Sequence, residues 1–278
     1  MDSIRITALR CGSMTVRPRE AFIDDRNPLA QRITLPVNAF LLEHPRHGRI
    51  LIDTGWSKNV KSILPKHLLD FYSPEINPGE TAAEQLEEMG IHPRDIDLIL
   101  LTHLDADHTC GLTELGKEAG RVICSELEYF YSCRYVYKKR QVWDTWMPYL
   151  GDSNDRVFFR ASVLGPVKRG FDVFGDDSVI CVYCPGHTDG IVTTLVSQSP
   201  SNRFIDHGDG KYGGSFAVFA SDTAFSQRNI DTLTVPGYGF DRKQQRNALE
   251  FLRELQADPM HRVTFFSHSD PADKNIML

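Results

Sequence analysis

Four residues able to bind a metal ion, His103, Asp105, Asp107 and His108, fall within six consecutive positions. They directly follow Ile96-Asp97-Leu98-Ile99-Leu100-Leu101, an apolar run of strand length. On an extended strand end, residues 103, 105 and 107 project together, while a turn redirects His108. One short segment can then serve two adjacent ions. Read as packing alone, the stretch is a polar strand-to-helix turn with Asp107 as a helix cap, which leaves both histidines without a role. Three more apolar runs end in residues of the same kind. His187 follows Val179–Tyr183 through Pro185-Gly186, Asp222 follows Phe216–Ala220, and His268 follows Val263–Phe266. Strands of one sheet bring such ends to a shared edge. Four histidines and three carboxylates suffice for two divalent ions with a bridging carboxylate and positions left open. Imidazole with carboxylate suits zinc, iron or manganese, and the lack of cysteine ligands argues against a structural zinc.

The elements that must position these residues are legible as alternating or buried apolar runs. Ile4–Leu9 alternates like a first strand, and the charged, proline-containing stretch that follows, through Arg32, reads as an irregular loop. Ile33–Leu42 and Arg49–Ile52 make a hairpin across His44-Pro45-Arg46-His47-Gly48. This hairpin ends at Asp53-Thr54-Gly55, where Asp53 serves as a turn residue, orients a ligand histidine, or does both. Thr81-Ala82-Ala83-Glu84 reads as a capping box, with Gly90 as the stop. Gly111–Ala119 and Asn247–Leu255 read as helices, and 199–214 as a hairpin connection rich in Gly and Asp. Residues 126–150 carry the densest run of aromatics, including Tyr135 and Trp143. That segment is either ordinary helix burying its rings or a cap supplying an apolar wall for a substrate. Its interleaved Arg134, Lys138, Lys139 and Arg140 would suit an anionic group.

The chain has 278 residues, within reach of one large α/β domain, so a single domain over 1–278 is expected, with a cap-like insertion at about 126–160. A net charge of −6 gives no nucleic-acid footprint. No apolar run is long enough to span a bilayer, and the opening residues do not read as a signal peptide, so a cytoplasmic location is expected. The six cysteines are scattered. Cys181 and Cys184 have CxxC spacing, but strand alternation sends them to opposite faces, so both read as reduced packing residues.

The ligand pattern resembles the metallo-β-lactamase superfamily, whose signature is HxHxDH, then a His after a Gly, a bridging Asp and a final His. Leu51-Ile52-Asp53-Thr54-Gly55, Pro185-Gly186-His187-Thr188 and Ser221-Asp222 most resemble the N-acyl homoserine lactonase-like branch. The resemblance implies a four-layer αββα sandwich, with two mixed sheets face to face and helices outside. It implies one ion held by His103, Asp105 and His187, a second by Asp107, His108 and His268, and Asp222 bridging them, with Asp53 behind a ligand histidine. A hydroxide shared by the two ions would attack the carbonyl of a lactone or small ester. Asp107 would orient that nucleophile and pass a proton to the leaving oxygen.

Two positions depart from the pattern. Asp105 stands where the common motif has His, and its charge favours manganese or iron over a zinc site that prefers imidazole alone. Phe225 stands where the similar lactonases have a Tyr that helps hold the lactone carbonyl, a bond Phe cannot donate. Thr223, or a tyrosine of the aromatic segment such as Tyr135, with Trp143 as a wall, is the expected substitute. The alternatives are a non-catalytic metal- or ligand-binding sensor on the same fold, and a phosphodiesterase or thioesterase of the superfamily. The expected partner is a small-molecule substrate, with no nucleic acid and no membrane. The aromatic segment at 126–150 leaves two readings open, a homodimer surface or a lid alone.

Overall fold

The computed structural model of the chain describes residues 3–134, 140–198 and 214–278. Among them, thirteen strands form two sheets. β1 (Arg5–Val16) pairs antiparallel with β2 (Ile33–His44), which turns back into β3 (Gly48–Ile52). β4 (Leu98–Leu100), β5 (Val122–Ser125) and β6 (Arg156–Val157) then add in parallel. The second sheet holds β7 (Arg160–Ala161), β8 (Arg169–Asp172), β9 (Val179–Tyr183), β10 (Val192–Ser197), β11 (Phe216–Phe219) and β12 (His261–Phe265). Its pairs are antiparallel except β11 with β12. The last strand, β13 (Asn275–Met277), returns to the first sheet beside β1. Both sheets are therefore mixed, as expected.

Strand periodicity sorts the apolar residues into layers. In β2 and β3, Phe40, Leu42, Ile50 and Ile52 point between the sheets, whereas Ala39, Leu41 and Leu51 point outward. In β9, Val179 and Cys181 face inward, and Ile180 and Val182 face out. The inter-sheet core centres on Phe40, whose ring centroid lies 5.1 Å from Phe219 and 5.3 Å from Phe265. Outside the first sheet pack Trp56, Trp146 and the helices Lys66–Tyr72 and Ala82–Glu88. Outside the second packs the helix Arg242–Ala257, which buries Ala248, Leu249, Leu252 and Leu255. This is the four-layer αββα arrangement. Because central strands such as β4 and β9 are covered on both faces, their sequences are continuous apolar runs, and the candidate ligands follow at the strand ends.

Several local expectations are met. Thr81 Oγ1 accepts from Glu84 N at 3.2 Å, and the capped helix runs Ala82–Glu88. Cys181 lies in the inter-sheet core and Cys184 in the outer one, both as free thiols. Others are corrected. β1 extends to Val16, through a register shift between Arg10 and Ser13 that lets the strand bend, so less of the stretch to Arg32 is loop. Gly111–Ala119 holds only the short helix Leu112–Leu115, preceded by the turn of helix Ala106–Thr109. The aromatic segment forms the helices Glu126–Ser132 and Trp143–Trp146, with Trp146 fully buried and Phe130 exposed. Most of the 199–214 connection, and Tyr135, lie outside the described residues. Among the described residues, no helix is long and apolar enough to cross a membrane.

Candidate metal centre

Four strands deliver the site, and they come from both sheets rather than one as expected: β4 from the first, and β9, β11 and β12 from the second. β4 leads into the loop carrying His103 and Asp105, after which the helix Ala106–Thr109 carries Asp107 and His108. The turns after β9, β11 and β12 deliver His187, Asp222 and His268. All seven side chains are buried. Their ligand atoms gather in two groups, His103 with Asp105 and His187, and Asp107 with His108, Asp222 and His268, each within 4.8 Å. In the second group, Asp222 Oδ1 lies 3.2 Å from His108 Nε2 and 3.1 Å from His268 Nε2. Asp107 Oδ2 lies 3.6 and 3.4 Å from the same two nitrogens. In the first, Asp105 Oδ2 lies 3.6 Å from His103 Nε2 and 3.1 Å from His187 Nε2. Ligands set tetrahedrally at about 2.0–2.2 Å from one ion stand about 3.3–3.6 Å apart. These separations scatter around that value. The other oxygen of Asp222, Oδ2, turns to the first group, 3.8 Å from His103 Nε2 and 3.4 Å from His187 Nε2. One carboxylate thus faces both groups, one oxygen to each.

The donor set fits a divalent ion on a second count. His103 Nε2, His108 Nε2, His268 Nε2, Asp105 Oδ1 and Asp222 Oδ1 are buried without a hydrogen-bond partner. Buried polar atoms are nearly always paired, so five unpartnered atoms on these clustered side chains fit a bound cation.

The rear of the site is tied down. Asp53 Oδ2 accepts from His108 Nδ1 at 2.7 Å and from Thr102 Oγ1 at 2.8 Å, and Asp53 Oδ1 accepts from Thr102 N at 2.8 Å. His103 Nδ1 lies 3.1 Å from Thr102 Oγ1, and His268 Nδ1 lies 3.0 Å from Pro36 O. A proton held on Nδ1 would leave the Nε2 lone pair free to bind a metal ion. Asp53 and Ser221 adopt left-handed backbone, φ +57° and +50°, a strained conformation for non-glycine residues. Gly55 must be glycine on two counts: φ is +65°, and a Cβ there would meet Cys11 Cβ at 2.2 Å.

The fold brings in four residues beyond the expected set, of which the sequence singles out only Arg140, as one of several basic residues suited to an anionic group. Glu128, buried on the helix Glu126–Ser132, accepts from Leu104 N at 3.1 Å, Thr188 Oγ1 at 2.6 Å and Gly190 N at 3.0 Å. It clamps the loops on either side of His103 and His187 together. Gly190 permits the approach, since a Cβ there would lie 2.1 Å from Glu128 N. Arg140 reaches into the first group. Its Nη2 donates to Asp105 Oδ2 and lies 2.7 Å from His187 Nε2, while Nη1 donates to His187 O at 3.0 Å. Tyr72 and Tyr238 line a small, mostly apolar pocket with Met14, Val16, Phe225 and the site carboxylates. No local pattern marks Glu128, Tyr72 or Tyr238, and none separates Arg140 from its basic neighbours, because each is an ordinary helix or loop residue until the chain folds. Phe225 does stand at the site, its ring centroid 4.4 Å from that of His268. Thr223 is instead hydrogen-bonded by Thr193 Oγ1 at 3.3 Å, and Trp143 Nε1 donates to Ser132 O at 3.2 Å. Neither lines this pocket.

The electrostatics follow from packing many charges without water. Burial pushes the Asp107 carboxyl up, and Asp222 and Asp105 add to it against the pull of His108 and His268. Burial alone would lower His108, but Asp53, Asp222 and Asp107 outweigh it and raise it. Burial opposes charge on Asp105 too, yet Arg140 and the two histidines hold it well below the usual carboxylate range. His187 is lowered to about 4 by burial and then by Arg140. Three carboxylates and four imidazoles in one buried volume form a set whose negative charge divalent ions would offset.

Residues 32–196 match the sequence pattern of the metallo-beta-lactamase superfamily. The chain is 26% identical over 246 residues to the N-acyl homoserine lactonase AttM of Azorhizobium caulinodans, covering 84% of this chain and 89% of that protein. It is similar in fold to a B. thuringiensis AiiA mutant with N-decanoyl-L-homoserine bound at the active site. The TM-score is 0.71 at 18% identity, covering 97% of this chain and 94% of the other. A further fold neighbour is AidC, a dizinc quorum-quenching lactonase, with a TM-score of 0.64 at 15% identity, covering 99% of this chain and 94% of AidC.

Proposed function

This chain belongs to the metallo-beta-lactamase superfamily, and on that premise we propose that it is a dinuclear metal-dependent hydrolase that opens a lactone or a similar small ester. The observation that carries the proposal is Asp222, whose two oxygens face two separate groups of ligand atoms. In this reading, His103, Asp105 and His187 hold one ion, Asp107, His108 and His268 hold the other, and Asp222 contacts both. Zinc, iron and manganese all suit this mixture of imidazole and carboxylate. Two such ions, when bound, supply a water acidified enough to act as nucleophile near neutral pH and a Lewis acid for the carbonyl oxygen. Asp53 keeps the proton of His108 on Nδ1, so that Nε2 faces the ion. Asp107 lines the pocket, where its carboxylate oxygen is placed to take a proton from the attacking water and return it to the leaving alkoxide. Met14, Val16, Phe71 and Phe225 form the apolar wall against which an acyl chain or ring would lie. Tyr72 and Tyr238, on the same pocket, are the hydroxyls available to hold the carbonyl where Phe225 offers none.

The relatives named for N-acyl homoserine lactones support the lactone class, and the dizinc neighbour supports the two-ion reading. The test is a panel of lactones and esters given to metal-reconstituted protein, with ring opening followed by proton release. Turnover of at least one lactone, lost on stripping the metal and in Asp107→Asn and His108→Ala, is the expected result. Metal-loaded protein that opens none of them, or that does so unaffected by Asp107→Asn, would overturn the proposal.

A further inference from the structure

The two groups of ligands are not alike. His103 Nδ1, His108 Nδ1 and His268 Nδ1 are each held from behind, by Thr102 Oγ1, Asp53 and Pro36 O. Among the described residues, His187 Nδ1 is buried and has no partner. His187 is held instead on Nε2, the ligand atom itself, where Arg140 Nη2 lies 2.7 Å away. Arginine carries donors only and keeps its charge at any working pH, so that contact uses the imidazole lone pair. The same guanidinium also takes Asp105 Oδ2, through Nη2 and through Nε at 3.2 Å. Its Nη1 is fastened to His187 O at 3.0 Å, its plane stands 4.8 Å from the Tyr238 ring centroid, and its side chain is 11% exposed. Among the described residues, no Lys or Arg makes an ion pair with Asp107, Asp222, His108 or His268.

We propose that Arg140 is a built-in competitor for one of the two ions: the group His103–Asp105–His187 binds its ion later and more weakly than the group Asp107–His108–Asp222–His268. This rests on the reading of both groups as metal sites. A divalent ion in the first group needs the lone pairs of Asp105 and His187. The guanidinium already holds both, and two like charges cannot share that volume. Asp105 and Arg140 form a matched pair. The carboxylate that stands in place of the usual imidazole brings one negative charge, and Arg140 brings one positive charge, so the group is close to neutral before any ion arrives. Among the described residues the second group has no such cation, so its attraction for a metal is not offset in this way.

The experiment is a titration of metal-stripped full-length protein with Co²⁺, followed by absorbance and by native mass spectrometry to count bound ions. Wild type is expected to take one equivalent tightly and a second at least about 100-fold more weakly. Arg140→Met keeps the apolar stem and removes the charge. It is expected to tighten the weaker ion at least about tenfold and to leave the stronger one unchanged, which also shows that the fold is intact. His268→Ala is expected to abolish the tight ion. Two equally tight ions in wild type would overturn the competitor while leaving the metal sites standing. So would a weaker ion that Arg140→Met loosens or leaves alone, or a tight ion that survives His268→Ala. Protein that takes no Co²⁺ in any form would overturn the metal-site reading itself.

Discussion

The substitution Asp53→Asn changes one atom and tests how the site is held from behind. Asn keeps the shape of Asp and tolerates the left-handed backbone at this position, φ +57°. The carboxylate accepts three hydrogen bonds, from Thr102 N, Thr102 Oγ1 and His108 Nδ1, all at 2.7–2.8 Å. An amide can satisfy these in only one of two ways. With its oxygen toward His108, its NH₂ opposes the Thr102 N–H, donor against donor. With its NH₂ toward His108, the imidazole must move its proton to Nε2, the atom that faces Asp222 at 3.2 Å. The first choice leaves a buried donor unpaired, about 1–3 kcal/mol. The second removes His108 as a ligand in its normal tautomer. Partners of metal-bound histidines are worth about 10- to 100-fold in affinity when removed. We therefore expect the tight metal of Asp53→Asn to weaken by about that factor. The metal-free variant should also lose about 1–3 kcal/mol in urea denaturation. A chelator-competition titration reads the first and a denaturation curve the second. Wild-type metal affinity together with an unchanged midpoint would refute the claim that Asp53 orients His108.

Four further outcomes follow from the same geometry. Glu128→Ala leaves the N–H groups of Leu104 and Gly190 without their acceptor, so thermal or urea unfolding should show a loss of at least about 2 kcal/mol, with metal affinity falling in parallel. Phe225→Tyr adds a hydroxyl beside His268 and His187. If the substrate is a lactone, kcat/KM should rise about tenfold or more, and a drop on every lactone would count against the orientation given to Phe225. His44 Nδ1 accepts from the backbone N–H groups of Arg46 and His47, and burial, with His47 and Arg46 next, lowers its pKa from 6.5 to about 4. The unfolded chain then binds the extra proton first, so this contribution to stability is full above pH 6.5 and falls away as pH drops toward 4. His44→Gln should flatten that part of the stability–pH curve, and an unchanged slope would remove His44 as its source. Five of the six cysteines are buried and Cys133 is half-buried, so a thiol reagent should label at most one per native chain and six after denaturation.

The legible part of this protein is what short stretches of chain can specify. Runs such as Leu98–Leu101 and Val179–Tyr183 announce strands buried on both faces, because no polar residue interrupts them. Candidate ligands sit immediately after such strands, so strand ends alone suggested that His103, Asp105, Asp107, His108, His187, Asp222 and His268 would meet. The alternation of Cys181 and Cys184 across β9 and the cap at Thr81 were readable for the same reason: each is decided within a few residues. Tertiary structure decided the rest. Which oxygen of Asp222 faces which group depends on how β11 sits between β10 and β12, and no local pattern carries that. Glu128 and Arg140 come from the aromatic segment, far along the chain from Asp105 and His187. An isolated Glu on a helix or Arg in a loop is ordinarily solvated, and only packing takes its water away. Tyr72 and Tyr238 reach the pocket from a helix and a loop whose sequences say nothing of it, whereas Trp143, the aromatic that looked suited to a pocket wall, turns into its own helix packing. Ligand identity is chemistry written residue by residue. The surrounding charge balance is a property of a closed, low-dielectric volume, and that volume exists only once the two sheets have come together.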